Sequence, residues 1–412
     1  MFKPNQVLQG VSNLKKILFV MTNLNSGGIA TSLVNLVNVI ADNHSYSISV
    51  LLFDESGSNI HKLPNNVSII LGNKYTSFLS NSLKYTREKG LAIFLFRVFV
   101  TGLTRLIGKK YTYKLIFSTL RQALVYDIAI SFSQSSPSNR LYGGCNEFVI
   151  EKVTATHKIS FLHADYLKYG LHSKYNSILY SKFNKIACVS NSVKKQFIDC
   201  NPKLSSNTFV VKNIHDCSKI RTKANDTSLI YNEGYNILTV SRLTSEKGLL
   251  RAMNVIKKLH DIKLDFKWHI VGDGPLKSFL REYTYNNSLS DIVVFYGDDQ
   301  NPYKYMKNAN ALLVPSFHEA APMVIEEAII LGLYVVTTNT LSAAEMVSSD
   351  DIGNICENNE DGLYNSLKKL ITERPKILNL PRYEECETMN ANRLIDFKQL
   401  IDDNWGDYNA KT

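Results

Sequence analysis

The sequence predicts an α/β fold of two parallel-sheet domains, each sheet covered by helices on both faces. Three observations carry that prediction. Short apolar runs alternate with stretches of helical periodicity along most of the chain. The strand-like runs are largely apolar rather than strictly alternating, as strands buried on both faces must be. The alternation breaks once, around Cys217–Gly234, and then restarts, which divides the 412 residues into two full-sized domains.

The elements follow in order. KILFVM (Lys16–Met21) reads as a strand ending at the turn-rich TNLNSGG. Leu33, Leu36, Val37 and Ile40 recur at helical spacing within Ile29–Ile40, and YSISVLLF then reads as strand. Further strands are DIAISF (127–132), HKISFL (157–162), KIACV (185–189) and TFVVK (208–212), with a helical stretch at Val193–Phe197. CSKIRTKANDTSLIYNEG is polar and aperiodic and reads as the linker. Beyond it, NILTV leads to a helix from Gly248, FKWHIV to one from Pro275, and IVVFYG to one near Tyr303. ALLVP leads to a helix from Pro322, and LYVVTT to a short one near Glu345. The tail Asn392–Trp405 is amphipathic through Leu394, Phe397, Leu400 and Ile401. The expected domains are therefore 1–222 and 223–391, with 392–412 a terminal helix able to dock back on the first. Two such sheets in tandem would open a cleft at their strand carboxyl ends, where α/β proteins bind ligands.

Composition excludes several classes. With 44% hydrophobic and 20% charged residues, the chain can bury full cores, so neither disorder nor a stapled mini-protein fits. The six cysteines are scattered without CxxC spacing, so neither a zinc site nor a disulfide framework is expected, and a reducing compartment fits. The N-terminus lacks an apolar segment of the signal-peptide kind. Net charge is +10, but residues 74–123 hold ten cations against Glu88 alone, so this one segment carries +9. The cations are Lys74, Lys84, Arg87, Lys89, Arg97, Arg105, Lys109, Lys110, Lys114 and Arg121. A nucleic-acid-binding surface is not expected, because no such motif accompanies the block. Between its charges lies LAIFLFRVFVTGLTRLI (Leu91–Ile107), which Arg97 and Arg105 make too short an apolar run to span a bilayer. Its expected partner is an anionic membrane surface. The rival is a core helix burying Leu91, Phe94, Leu95 and Val98.

Four sets of residues point to chemistry. Gly27–Gly28 falls between the first strand and first helix, where a helix N-terminus can receive a phosphate; neither a GxGxxG nor a Walker loop is present. In VSRLTSEKG, Arg242 and Lys247 stand five residues apart beyond a strand end, ahead of Gly248. Two cations there can hold a diphosphate and stabilise a leaving phosphate. In PSFHEAAPMVIEEAIILG, Glu319 lies in a loop, and Glu327 follows eight residues later, in the helix begun by Pro322. Carboxylates at two depths can accept hydrogen bonds from ribose and sugar hydroxyls. Glu326, between them, is expected to face water. Finally, His163 follows a strand in FLHADY, with Asp165 two residues on as a possible acceptor-orienting group.

On these residues the chain resembles the retaining glycosyltransferases of family 4 (glycosyltransferase group 1), whose fold is GT-B, two Rossmann-like domains facing a central cleft. SRLTSEKG, VGDGP, PSFHEAAPMVIEEA and AAEMV follow in the family's order within 236–347. The resemblance implies that Glu319 and His163 line the donor sugar as catalytic residues. It further implies that Glu327 and Arg242 with Lys247 hold the ribose and the diphosphate, with Gly28 near the distal phosphate. Asn213 and Asp216 match the family's interdomain junction, while Ile214 and His215 depart from it. Ala320 replaces the family's glycine after the first acid, which bears on donor choice. The first domain would then be the acceptor side and the second the nucleotide-sugar side.

The function expected is retaining transfer of a hexose from a nucleotide diphosphate sugar, a UDP-sugar first, to an acceptor hydroxyl. Its acceptor would be a lipid-linked saccharide in bacterial capsule, exopolysaccharide or cell-wall glycan assembly. No metal or other cofactor is expected, and the site would be cytoplasmic, peripheral on the membrane. The alternatives are a silent GT-B partner subunit, a glycan-binding protein, or a sugar-nucleotide epimerase.

Overall fold

The computed structural model describes residues 14–402 except 26, 43–44, 81–85, 88–89, 138–139, 230, 232–233 and 375–381. The N-terminal thirteen residues, Lys84, Glu88, Lys89 and Trp405 therefore lie outside the described residues.

Among the described residues the first sheet has seven strands: β1 (Lys15–Met21), β2 (Tyr46–Leu52), β3 (Ser68–Leu71), β4 (Leu124–Ser131), β5 (Val153–Leu162), β6 (Lys185–Cys188) and β7 (Thr208–Val210). Their order is β3-β2-β1-β4-β5-β6-β7, and β1 pairs in parallel with both β2 and β4. Ile17, Leu18, Phe19 and Val20 of β1 are all 0% exposed, which explains the unbroken apolar run: over these residues neither face of the strand meets water. The second sheet holds β8 (Tyr235–Val240), β9 (Phe266–Val271), β10 (Val293–Gly297), β11 (Ala311–Val314), β12 (Tyr334–Thr338) and β13 (Gly353–Cys356), ordered β10-β9-β8-β11-β12-β13. Its pairs β8–β9, β8–β11, β11–β12 and β12–β13 are parallel too. Trp268 is the large side chain of its core, and its indole donates to Thr239 Oγ1 at 3.0 Å.

Among the described residues the helices include α1 (Gly28–Ala41), α2 (Lys74–Ser77), α3 (Leu91–Ile107), α4 (Lys109–Ser118), α5 (Cys145–Lys152), α6 (Lys174–Tyr180), α7 (Asn191–Cys200) and α8 (Cys217–Ala224). They continue with α9 (Leu249–Asp261), α10 (Lys277–Asn286), α11 (Tyr303–Asn308), α12 (Met323–Ile330), α13 (Ala343–Met346), α14 (Glu360–Glu373) and α15 (Tyr383–Ile401). The chain forms two compact units, one of 1–161 with 171–186 and the other of 162–170 with 187–412.

Three expectations are corrected. The stretch expected to be an aperiodic linker begins with α8, whose N-terminus is capped by Asp216 accepting from the Lys219 N–H at 2.9 Å. Cys217 of α8 is joined to Cys386 of α15 by a disulfide with Cα atoms 6.2 Å apart, where no disulfide was expected. A separation of 169 residues removes any local spacing signal. The tail helix, expected from Asn392, starts at Tyr383 and carries that cysteine inward.

The basic segment folds as α3 and α4; two of its charges, Arg97 and Lys109, are buried, and the rival core-helix reading fails for Leu91, Leu95 and Val98. Arg97 is buried on α3, donating to Thr86 Oγ1 and lying over the Phe78 ring at 5.9 Å. Leu91, Leu95, Val98, Phe99 and Leu106 are instead exposed, at 48–84%. These positions share one side of a helix, so α3 turns an apolar face to solvent. Lys109 is likewise buried, donating to Ser136 O and Oγ at 3.0 and 2.8 Å and pairing with Glu147 at 3.5 Å. Among the described residues no helix is long and apolar enough to cross a membrane.

Candidate active site

Close backbone packing shapes the site in the second unit. Beyond β8, the Ser241–Leu243 loop lies against VGDGP: Leu243 N–H donates to Asp273 O at 2.9 Å. A Cβ on Gly272 would fall 1.9 Å from Ser241 O, and that glycine's φ is +141°, so no side chain fits there. Gly248, at φ +67°, starts α9 where a Cβ would meet Pro315 O at 2.0 Å. Phe317 N–H donates to Glu246 O at 2.9 Å. Arg251, buried on α9, donates to Pro315 O at 2.6 Å and Ser316 O at 3.0 Å. The loop with Arg242 and Lys247 is thereby pressed onto the loop with Glu319.

Two of the expected residues meet directly there. Lys247 Nζ lies 2.6 Å from Glu319 Oε1, which also accepts from Ser316 Oγ at 2.7 Å. Arg242 joins the same loop, 3.5 Å from Glu246, with its side chain 59% exposed. The ammonium is fixed in place while the guanidinium stays available to an incoming anion. Glu327 is held apart from this pair. Its carboxylate is buried on α12 and accepts from the Tyr303 hydroxyl at 3.1 Å. Burial raises its pKa, against smaller opposing effects of His215 and the Tyr303 hydrogen bond.

Glu326 does not face water, contrary to expectation. It accepts from Arg393 at 3.0 and 2.7 Å and lies 2.6 Å from His215 Nε2. Burial pushes its pKa up, but the His215 hydrogen bond and the charges of His215 and Arg393 outweigh that and hold it at about 2. Asn390 completes the cluster, accepting from the His215 N–H at 3.1 Å. His215 and Asn213, at the departing junction sequence, thus tie α12 to α15, since Arg393 also donates to Asn213 O at 2.6 Å.

The remaining expected residues are placed as follows. His163 is half-buried, and burial pushes its pKa down to about 3, so the imidazole is neutral at ordinary pH. Asp165 is buried and accepts from Lys168 N–H at 3.0 Å. Ala320 is buried, and its carbonyl accepts from Ser190 Oγ at 3.1 Å. Among described non-glycine residues the left-handed ones are Lys263, Ser288 and Arg374, so Ala320 sits there without the backbone that only glycine tolerates. In the first unit, Gly27 has φ +148° and precedes α1, and the space where a Cβ would stand on Gly27 or Gly28 is open. Two contacts near these residues escaped the sequence reading. Glu345 of AAEMV accepts from the Asn191 N–H at 3.0 Å and from Ser192, which places an acid at the N-terminus of α7. Tyr169 packs its ring against His318, with centroids 5.1 Å apart.

The profile of the family described as glycosyl transferases group 1 matches residues 221–389. Those residues belong to glycosyltransferase group 1. Arg242, Lys247, Glu319 and Glu327 all lie within that stretch. An uncharacterized glycosyltransferase of Methanocaldococcus jannaschii is 29% identical over 181 residues, which is 42% of this chain and 45% of that protein. The N-acetylgalactosamine-N,N'-diacetylbacillosaminyl-diphospho-undecaprenol 4-alpha-N-acetylgalactosaminyltransferase of Campylobacter jejuni is 27% identical over 240 residues, 57% of this chain and 63% of that protein. The matches thus span roughly half the length of these curated relatives. Anabaena HepE, solved with UDP-glucose, superposes with a TM-score of 0.61 at 18% identity, covering 93% of this chain and 98% of HepE. The fold is GT-B, with two Rossmann-like parallel-sheet domains.

Proposed function

We propose that the protein transfers a hexose from a nucleotide diphosphate sugar to an acceptor hydroxyl, with retention of anomeric configuration. The observation that carries this reading is the Lys247–Glu319 pair at 2.6 Å, beside Arg242, within the glycosyltransferase group 1 domain. A UDP-sugar is the first donor to try, because the similarly folded HepE was solved with UDP-glucose. Arg242 and Lys247 would take up charge on the departing diphosphate, which is where a transition state of this kind gains most. Glu319 and a neutral His163 would position the sugar, Glu327 would hold the ribose, and Gly28 would approach the distal phosphate. No covalent nucleophile is assigned, and the acceptor proton would pass to the leaving phosphate oxygen. With two cations serving the diphosphate, turnover is expected to survive a chelator.

The proposed acceptor is a lipid-linked saccharide of the kind used in bacterial capsule, exopolysaccharide or cell-wall glycan assembly. Support comes from the exposed apolar side of α3 beside the exposed Arg105, Lys110 and Lys114, a surface suited to an anionic membrane at the cytoplasmic face. The Campylobacter relative acts, by its name, on an undecaprenol-linked saccharide. The test is to incubate the intact protein with a panel of nucleotide sugars and follow nucleoside diphosphate release. Product anomers are then assigned by NMR. Release from no donor would end the transferase reading, and an inverted anomer would end the retaining one.

A further inference from the structure

Tyr169 belongs to the short segment after His163, and its N–H donates to Asp165 O at 3.0 Å. Tyr169 is 40% exposed, and its ring meets the His318 ring edge-on, at an interplanar angle of 70°. His318 directly precedes Glu319, whose carboxylate is already tied to Lys247 and Ser316. The Tyr169 hydroxyl also lies in the field of Glu246, Glu319 and Arg242. Beside it, Nδ1 of His318 is buried with no hydrogen-bond partner. An unmatched buried polar atom is costly, so a group that arrives to satisfy it is favoured. A half-exposed ring with a polar tip, next to an unmatched ring nitrogen, suits a ligand with an apolar C–H face and projecting hydroxyls. A pyranose has that shape, and neither a nucleobase edge nor a diphosphate does.

We propose that Tyr169 and His318 form one wall of the sugar subsite and determine which donor sugar is accepted. This rests on the transferase reading above, within which neither residue has a role. Tyr169 stacks on the sugar, and His318 Nδ1 pairs with one of its hydroxyls. Calorimetric titration of the intact protein with UDP, GDP, UDP-glucose, UDP-galactose, UDP-N-acetylglucosamine and GDP-mannose tests it. Tyr169→Ala and His318→Ala are each expected to weaken the preferred nucleotide sugar about tenfold, the scale of one lost contact of ~1.4 kcal/mol. The bare diphosphate should bind within twofold of wild type, and the ranking of sugars should change. Tyr169→Phe, which keeps the ring, should lose less. Equal weakening of sugar-bearing and bare nucleotides, or no weakening of either by both variants, overturns the proposal and leaves the transferase reading standing. A wild-type protein that binds none of the six overturns both.

Discussion

Lys247 is fixed by an ion pair to Glu319, so its removal takes away a preorganised charge rather than a floppy one. Lys247→Ala is expected to lower kcat/KM by about 10²-fold or more, the scale of one lost charge-stabilising donor, measured by diphosphate release. Near wild-type turnover would remove Lys247 from the mechanism. Glu327→Gln should raise the Kd for the free nucleoside diphosphate in calorimetry; an unchanged value would make the Tyr303–Glu327 bond purely structural. Glu326 carries a pH prediction. Its folded pKa lies below the ordinary carboxylate value, so the stability it contributes is present above pH ~4.5 and is lost as pH falls toward about 2. Wild type should therefore lose roughly 2–3 kcal/mol more than Glu326→Gln between pH 5 and pH 2, read from urea midpoints. At this scale the charged residues of two short motifs were legible, but their pairing was not: Lys247 meets Glu319 across 72 residues, while Glu327 bonds Tyr303 instead. The pairing of Glu326 was not legible either, because His215 and Arg393 lie 111 and 67 residues away.

Among the elements, the central strands were legible, and of the edge strands β7 and β10 were legible while β3 and β13 were not. β1, β8 and β11 are buried on both faces and announce themselves as apolar runs. β3 and β13, at the edges of the two sheets, are four residues each, and most of their residues are only partly buried or exposed, so no pattern marks them. Helix α3 was legible as a helix, but its orientation was not, since buried Arg97 needs Thr86 and Phe78 to take it. The consequence is a sharper membrane experiment. Replacing the exposed Arg105, Lys110 and Lys114 by Gln should weaken binding to anionic vesicles by a few kcal/mol at most, at ~1 kcal/mol per cation. Wild-type binding should itself fall as salt shortens the Debye length from about 10 Å at 0.1 M to about 3 Å at 1 M. Co-sedimentation reads both, and a triple variant that binds like wild type would leave α3 without its proposed partner. Lys109 must be kept out of that set. Lys109→Gln strands Glu147 in the interior and is expected to cost about 3–5 kcal/mol of folding stability whether or not a membrane is present.

At the scale of the whole molecule, two parallel sheets were readable from alternation alone, because each strand and its following helix lie close in sequence. Long-range covalent geometry was not. The Cys217–Cys386 bond is expected to contribute about 5 kcal/mol in the chain-entropy account for a loop of this size. Adding reductant should lower the urea midpoint accordingly, while Cys145, Cys188 and Cys356 remain buried and unaffected. An unchanged midpoint, or free thiols at both positions in alkylation mass spectrometry, would remove the bond. Its presence has a topological result. From Cys217 to Cys386 the backbone becomes a closed covalent circle that contains every strand of the second sheet. One peptide cut anywhere inside that circle opens it to a line without freeing a fragment. Such a nicked chain would run as a single band on a gel until reductant is added, and only then fall into two pieces.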